Sequence, residues 1–241
     1  MSEPTLRVCA LYPELMNIYA DRGNIAVLSA RCRWRGLGFE LSAASLGEPL
    51  DPGAHDLFYI GGGQDRDQIA VARDMAATKR SALHEAAERD AVVLAVCGGY
   101  QLLGHSYQLG EQELPGIGLL DLRTVRAPGP RLIGNCAIAC ELGSGPQVVA
   151  GFENHGGRTY LGDGGEPLGR VLRGHGNNGS DATEGARRAN VFGTYLHGPL
   201  LPKNHRLADR LIELALGVSL EPLDDSLERA AHDSARRAAG V

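Results

Sequence analysis

The stretch Ala91-Val92-Val93-Leu94-Ala95-Val96-Cys97-Gly98-Gly99-Tyr100-Gln101-Leu102-Leu103-Gly104 decides the fold. Its first six residues are small or branched and apolar without alternation, the pattern of a strand buried on both faces. Cys97 follows at once, then two glycines and an amphipathic run. A nucleophile between a buried strand and a helix, with small residues two before (Ala95) and two after (Gly99), has the layout of a nucleophile elbow. Such a turn is tight enough to need small neighbours and lifts the reactive atom to the end of the sheet. The amides opening the next helix favour a thiolate over a thiol. A buried core cysteine is the other reading of this stretch, because Gly-Gly after a strand is a common entry to a helix.

Upstream, Leu6–Tyr12 reads as a short strand stopped by Pro13. A turn-rich run, Ala20-Asp21-Arg22-Gly23-Asn24, precedes a helical pattern with Ile25, Leu28, Cys32 and Arg35 on one side, closed by Gly36 and Gly38. Phe39–Ala43 alternates as a second strand, and Asp56–Ile60 is a third that runs into Gly61-Gly62-Gly63. About 67–89 is alanine-rich and helical. This alternation predicts an α/β fold: a mostly parallel central sheet flanked by helices on both faces.

Downstream the texture changes. Gly and Pro are dense between 110 and 185, and short strands are expected near 119–126, 132–140, 147–152, 170–173 and 190–196. The last ends at His197-Gly198-Pro199, and a helix follows over about 204–216. Residues 1–218 read as one domain, and 219–241 as a charged terminal helix or tail.

Composition narrows the function classes. Of 241 residues, 43% are hydrophobic, enough for a sizeable core, and the net charge of −5 gives no electrostatic reason to expect nucleic acid. No apolar run approaches the roughly 18–20 residues that span a bilayer, and Met1–Thr5 lacks a secretion signal. The five cysteines are scattered without a C-x-x-C pair, which points to a reducing, cytoplasmic setting and to neither a metal site nor a disulfide framework. Cys136 and Cys140, four apart in a strand, share a face and read as core, as do Cys9 and Cys32.

In open parallel sheets, ligands bind beyond the carboxyl ends of the strands. Two neighbouring strands here end in Gly61-Gly62-Gly63 and in Cys97-Gly98-Gly99, so the amides of Gly62 and Gly63 with that of Gly98 are candidates for an oxyanion hole. A thiol nucleophile needs a base. His197 stands at the end of a buried strand and is the first candidate, with His155 competing.

Gly61-Gly62-Gly63, Val96-Cys97-Gly98-Gly99-Tyr100-Gln101, Gly151–Thr159 and Gly193-Thr194-Tyr195-Leu196-His197-Gly198-Pro199 together resemble the class I glutamine amidotransferases. More narrowly they resemble the cobyric-acid-synthase-like branch. Met16–Asn24, Gly176-Asn177-Asn178-Gly179 and Leu201-Pro202-Lys203-Asn204 are similar to the glutaminase subunits of lipid II isoglutaminyl synthases within it. The resemblance implies Cys97 as nucleophile, His197 as base and Arg131 as the glutamine-contacting arginine. It also marks a departure: many class I members carry an acid two positions after the histidine, where this chain has Pro199. Glu153 is then the candidate third catalytic member. No phosphate-loop or dinucleotide fingerprint is present. The resemblance therefore implies no cofactor in this chain, ATP and magnesium on a partner, and a MurT-like Mur ligase subunit as that partner. A cobyric-acid-type subunit with another acceptor, a Cys-His hydrolase and a non-enzymatic binding subunit remain the alternatives.

Overall fold

In the computed structural model, residues 3–18, 22–143 and 145–241 are described, Asp65 by its backbone alone. The chain opens with β1 (Thr5–Leu11), α1 (Arg22–Trp34), β2 (Gly38–Ala44) and β3 (Leu57–Ile60). There follow α2 (Asp65–Asp74), a π-helical turn (Met75–Lys79), α3 (Arg80–Glu88), β4 (Val92–Val96) and α4 (Gly98–Leu103). The second half supplies β5 (Ser106–Leu109), β6 (Gln112–Pro115), β7 (Leu122–Arg126), β8 (Leu132–Glu141), β9 (Pro146–His155), β10 (Gly157–Leu161) and β11 (Gly169–Arg173). It closes with β12 (Thr183–Glu184), β13 (Ala186–Arg188), β14 (Val191–Thr194), a 3-10 turn (Leu201–Lys203), α5 (His205–Leu216) and α6 (Ser226–Ala239).

Six strands form the central sheet in the order β13-β14-β4-β3-β1-β2. All its pairings are parallel except β13 with β14. Every residue of β3, β4 and β14 is buried, as expected for strands covered on both faces. At the edge, β2 is mostly exposed. Two four-stranded sheets, β10-β7-β5-β6 and β12-β11-β8-β9, flank this core. The α/β architecture with a mostly parallel sheet is the one the sequence predicts.

Several boundaries move, each for a local reason. The helix expected over 67–89 begins at Asp65 and carries the π turn. Lys79, at the end of that turn, is buried, with its ammonium on Asp74 (2.7 Å), on the Ser45 carbonyl (2.9 Å) and over the Tyr12 ring. The strand expected from 119 starts at Leu122, because the Leu119 and Leu120 amides are spent on the Leu103 carbonyl. Arg31 occupies the buried face of α1, whereas Arg35 lies beyond its end. Burial of Arg31 is tolerated because Asp209 and Asp225 both pair with its guanidinium. Arg22–Asn24, read as a turn, open α1, while Ala20 and Asp21 of that run lie outside the described residues.

The last 23 positions, read as a helix or tail, contain α6. It packs on β8, β9 and the 3-10 turn. His232 donates from Nδ1 to the Lys203 carbonyl (2.8 Å) and Asn135 donates to that of Ala238 (2.9 Å). Burial pushes the Cys32 thiol up to about 11 and the Cys140 thiol to about 12, and it raises Cys9 and Cys136 as well. All four are buried and un-ionised, as a core reading requires.

Candidate active site

β4 hands its chain to α4 through Cys97, whose φ of 53° and ψ of −108° are rare for a residue with a side chain. The turn is held from both sides. The Cys97 amide donates to the Thr194 carbonyl of β14 at 2.8 Å, and the Cys97 carbonyl accepts from Gln101 at 3.1 Å. Strain of this kind persists only where surrounding bonds over-determine it, and it marks sites where one side chain must point in a set direction.

The glycine loop after β3 lies directly against this elbow. A Cβ on Gly62 would meet the Cys97 Cβ at 3.3 Å, and one on Gly98 would meet the Gly63 nitrogen at 3.3 Å. Gly99 donates to the Gly61 carbonyl (3.1 Å), and a Cβ there would sit 2.8 Å from the Ile60 carbonyl and 2.9 Å from that of Gly61. Any larger residue at Gly99 would therefore push α4 off the end of β3. The described part of the Met16–Asn24 motif serves the same loop, for Ile18 donates to the Gly62 carbonyl at 3.1 Å. Tyr19, Ala20 and Asp21 of that motif lie outside the described residues.

Cys97 opens into a cavity of about 490 Å³ shared with Gly63, Gln68, Gln101, Arg131, Asn154 and His155. That volume suits a small polar metabolite. Arg131 is exposed at its edge and is fixed there: Nε donates to the Asn154 Oδ1 and Nη2 to the Asn154 carbonyl, each at 2.8 Å. Gln68, which sequence reasoning missed, is 4% exposed and donates from Nε2 to the Gly63 carbonyl at 2.9 Å. Its Oε1 is buried with no partner. Gln101 donates to the Tyr195 hydroxyl at 3.0 Å. The spacing from Cys97 to Gln101, one helical turn, is the signal that ties Gln101 to the elbow, whereas nothing local singles out Gln68.

His197 lies three residues beyond Thr194, whose carbonyl holds the Cys97 amide. It is fully buried and exchanges both backbone hydrogen bonds with Phe152, each at 3.0 Å. Burial, with the nearby cations Lys203 and Arg131, pulls its imidazole down to about 4. It is therefore neutral at neutral pH, the state in which it can accept a proton. His155 is also buried, and it lines the cavity beside Cys97. Its Nδ1 donates to the Gly157 carbonyl (2.9 Å), and its ring stacks on Tyr195 at 3.6 Å. Burial brings it to about 3.

Glu153 is completely buried on β9, with its carboxylate accepting from the His175 amide (2.7 Å) and the Gly176 amide (2.8 Å). Burial raises its pKa, against the pull of those two amides. The imidazole facing it is that of His155, with Nε2 at 4.0 Å. The carboxylate thus anchors the loop that carries Gly176-Asn177-Asn178-Gly179. Asn177 in turn ties that loop to the core, accepting from the Tyr100 hydroxyl (3.1 Å) and the Gly185 amide (2.9 Å). This explains the motif as a structural clasp behind α4.

A buried parallel strand that passes a cysteine to a helix through a strained turn, with a bare glycine loop laid against it, defines an α/β protein with a cysteine nucleophile elbow. Residues 7–205 match the CobB/CobQ-like glutamine amidotransferase domain, and the chain belongs to that family. Among its relatives is the "Lipid II isoglutaminyl synthase (glutamine-hydrolyzing) subunit GatD" of Streptococcus pneumoniae, 40% identical across 88% of this chain and 80% of that protein. The protein of the same name from Staphylococcus aureus is 40% identical across 86% of this chain and 84% of its own length. The cobyric acid synthase of Pelotomaculum thermopropionicum is 33% identical, across 82% of this chain but only 38% of that protein. The solved structure of PurLQS from Thermotoga maritima superposes with a TM-score of 0.63 at 21% identity, covering 90% of this chain and 99% of that one. That similarity speaks to the fold alone. Among the described residues, no helix is long and apolar enough to cross a membrane.

Proposed function

We propose that this chain is the glutamine-hydrolysing subunit of a lipid II isoglutaminyl synthase acting in the cytoplasm. The observation that carries the glutaminase reading is the strained Cys97 elbow with the Gly61–Gly63 loop in van der Waals contact with it. Two relatives of that name, similar over at least four-fifths of their length, favour this acceptor over that of the cobyric acid synthases.

Cys97 attacks the side-chain amide carbon of L-glutamine while His197 takes the thiol proton. The oxyanion that forms is held by the amides of Gly62 or Gly63 and of Gly98, a donor of this kind contributing about 3–4 kcal/mol in measured systems. As the C–N bond breaks, His197 returns the proton to the leaving ammonia. Water, deprotonated by His197, then attacks the thioester and releases glutamate and the thiol. Arg131 holds the α-carboxylate of the substrate through N–H groups not engaged by Asn154. The resemblance to these subunits supplies the other half: a MurT-type Mur ligase subunit that binds ATP and magnesium. It activates the D-glutamate carboxyl of the lipid II stem peptide, and the ammonia released here converts it to D-isoglutamine.

A second reading of the base rests on one observation: His155 lines the cavity with Cys97. The two assignments separate on mutation, as set out below. The function itself is tested by co-expressing the chain with a MurT-type Mur ligase subunit and assaying glutamine-dependent amidation of lipid II. Cys97→Ala should remove the glutamine-dependent reaction while leaving the ammonium-dependent one. Loss of both, with the complex intact, would refute the division of labour.

A further inference from the structure

We propose that Gln68 is a positioning residue for the oxyanion hole, a strut that fixes the Gly63 end of the glycine loop against Gly98; this role rests on the glutaminase reading above. The three carbonyls of that loop are all anchored. Gly61 accepts from the Gly99 amide (3.1 Å), Gly62 from the Ile18 amide (3.1 Å) and Gly63 from the Gln68 Nε2 (2.9 Å). Because a peptide is planar and trans, its N–H points opposite to its C=O, so each anchor also aims the next amide along the loop. Glycine has no side chain to resist rotation of its peptides, and these anchors are what keep the loop in one conformation. Two of the three belong to the main chain. The third is a side chain, which a substitution can remove.

The start of α2 places Gln68 for this. Its own amide donates to the Gln64 carbonyl at 3.0 Å, so the side chain leaves the first turn of the helix and leans back toward the N-terminus, onto Gly63. The same carboxamide bears on the elbow. A Cβ on Gly98 would meet the Gln68 Nε2 at 2.5 Å and the Gly63 nitrogen at 3.3 Å. Gln68 therefore stands beside both residues whose amides share the oxyanion, holding the Gly63 carbonyl while it packs on Gly98. Packing alone does not call for a glutamine. Gln68 is 4% exposed and its Oε1 is buried with no partner, an arrangement that native proteins rarely keep. A methionine or leucine would fill similar space without burying an unpaired oxygen. What the carboxamide adds is its donor, and that donor goes to the glycine loop.

The test compares wild type with Gln68→Met, which keeps the length of the side chain and removes the donor, each bound to a MurT-type partner. kcat for glutamine hydrolysis should fall about 100-fold, the loss that a misplacement on the order of 1 Å can bring, with KM within about threefold of wild type. Alkylation of Cys97 by iodoacetamide should keep its wild-type rate, because displacing iodide builds no oxyanion and reports the thiolate alone. A glutamine-derived chloromethyl ketone, whose carbonyl oxygen takes on negative charge as the thiol adds, should slow in parallel with kcat. Gln68→Ala, a good helix former, repeats the comparison if the methionine variant does not fold, with circular dichroism as the check. Wild-type kcat in a folded variant would overturn the proposal. So would iodoacetamide alkylation that slows as much as kcat, or a loss confined to KM. Glutamine turnover that wild type lacks, or that Cys97→Ala retains, would instead sink the glutaminase reading and this role with it.

Discussion

Arg131→Ala probes the substrate side of the proposed mechanism most directly. Two of the five guanidinium N–H groups are occupied by Asn154, through Nε and Nη2. Nη1 lies 3.4 Å from where a Cβ on Gly156 would sit, and both residues line the cavity. A hydrogen bond to a charged partner is worth about 1.5–3 kcal/mol, and solvent at the exposed rim screens it slightly. The contact would exist in ground and transition states alike, so its loss belongs in KM. We expect KM for glutamine to rise about 10- to 100-fold, equivalent to about 1.4–2.8 kcal/mol, with kcat nearly unchanged. Arg131→Lys should recover part of this, keeping the charge but losing the fork. Asn154→Ala should cost less than Arg131→Ala, because it frees the guanidinium without removing it. The same arginine helps to hold His197 low, so the acid limb of the rate profile should move to higher pH in the alanine variant. Steady-state glutaminase assays with the partner bound, across pH, read both effects. An unchanged KM would refute the assignment and return Arg131 to a role in bracing β9.

Cys97→Ser and Cys97→Ala should each reduce glutamine hydrolysis below about one per cent of wild type, since loss of a nucleophile usually costs orders of magnitude; greater residual turnover would exclude Cys97 as sole nucleophile. His197→Ala should be nearly as damaging and His155→Ala less so, and the reverse order in kcat would move the base to His155. Glu153→Gln should act mainly on stability. It replaces one of two oxygens that accept from His175 and Gly176, at a cost of about 1–3 kcal/mol in denaturant unfolding; a collapse of kcat at unchanged stability would instead place the carboxylate in the chemistry. Acid should also weaken the fold through His155 and His197, which stay neutral down to about 3 and about 4 against an ordinary 6.5. Only the unfolded chain takes up their protons in that window, so their stabilising contribution is complete above about pH 6.5 and drains as pH falls toward 4. Glu184, pushed up to about 8 by burial, acts in the opposite sense between its ordinary 4.5 and 8, so a single-site comparison is needed. His155→Phe, which keeps a ring against Tyr195, should flatten the stability–pH slope between 6.5 and 4, and an unchanged slope would contradict the burial argument.

What the sequence determined by itself is the part written in short-range patterns. An unbroken apolar run marks β4, the small residues around Cys97 mark the elbow, and glycines at two neighbouring strand ends mark where the site lies, because each is a local steric requirement. The family motifs named the chemistry from the same residues. The tertiary structure decided what depends on partners distant in the chain. Strands β5, β6, β10, β12 and β13 were illegible because segments of two to five residues are strands only by virtue of what they pair with. Gln68 reaches the cavity only because α2 folds its side chain back onto the Gly63 carbonyl. Arg31 looks like a surface residue until Asp209 and Asp225 arrive from the far end of the chain to neutralise it. Glu153 shows the limit most plainly: the sequence offers it only as a stand-in for the acid that Pro199 replaces, while its bonds to the His175 and Gly176 amides and its place 4.0 Å from His155 Nε2 exist only in the folded chain. Hydrogen-bond partners are chosen by geometry in three dimensions, and no local pattern records that choice.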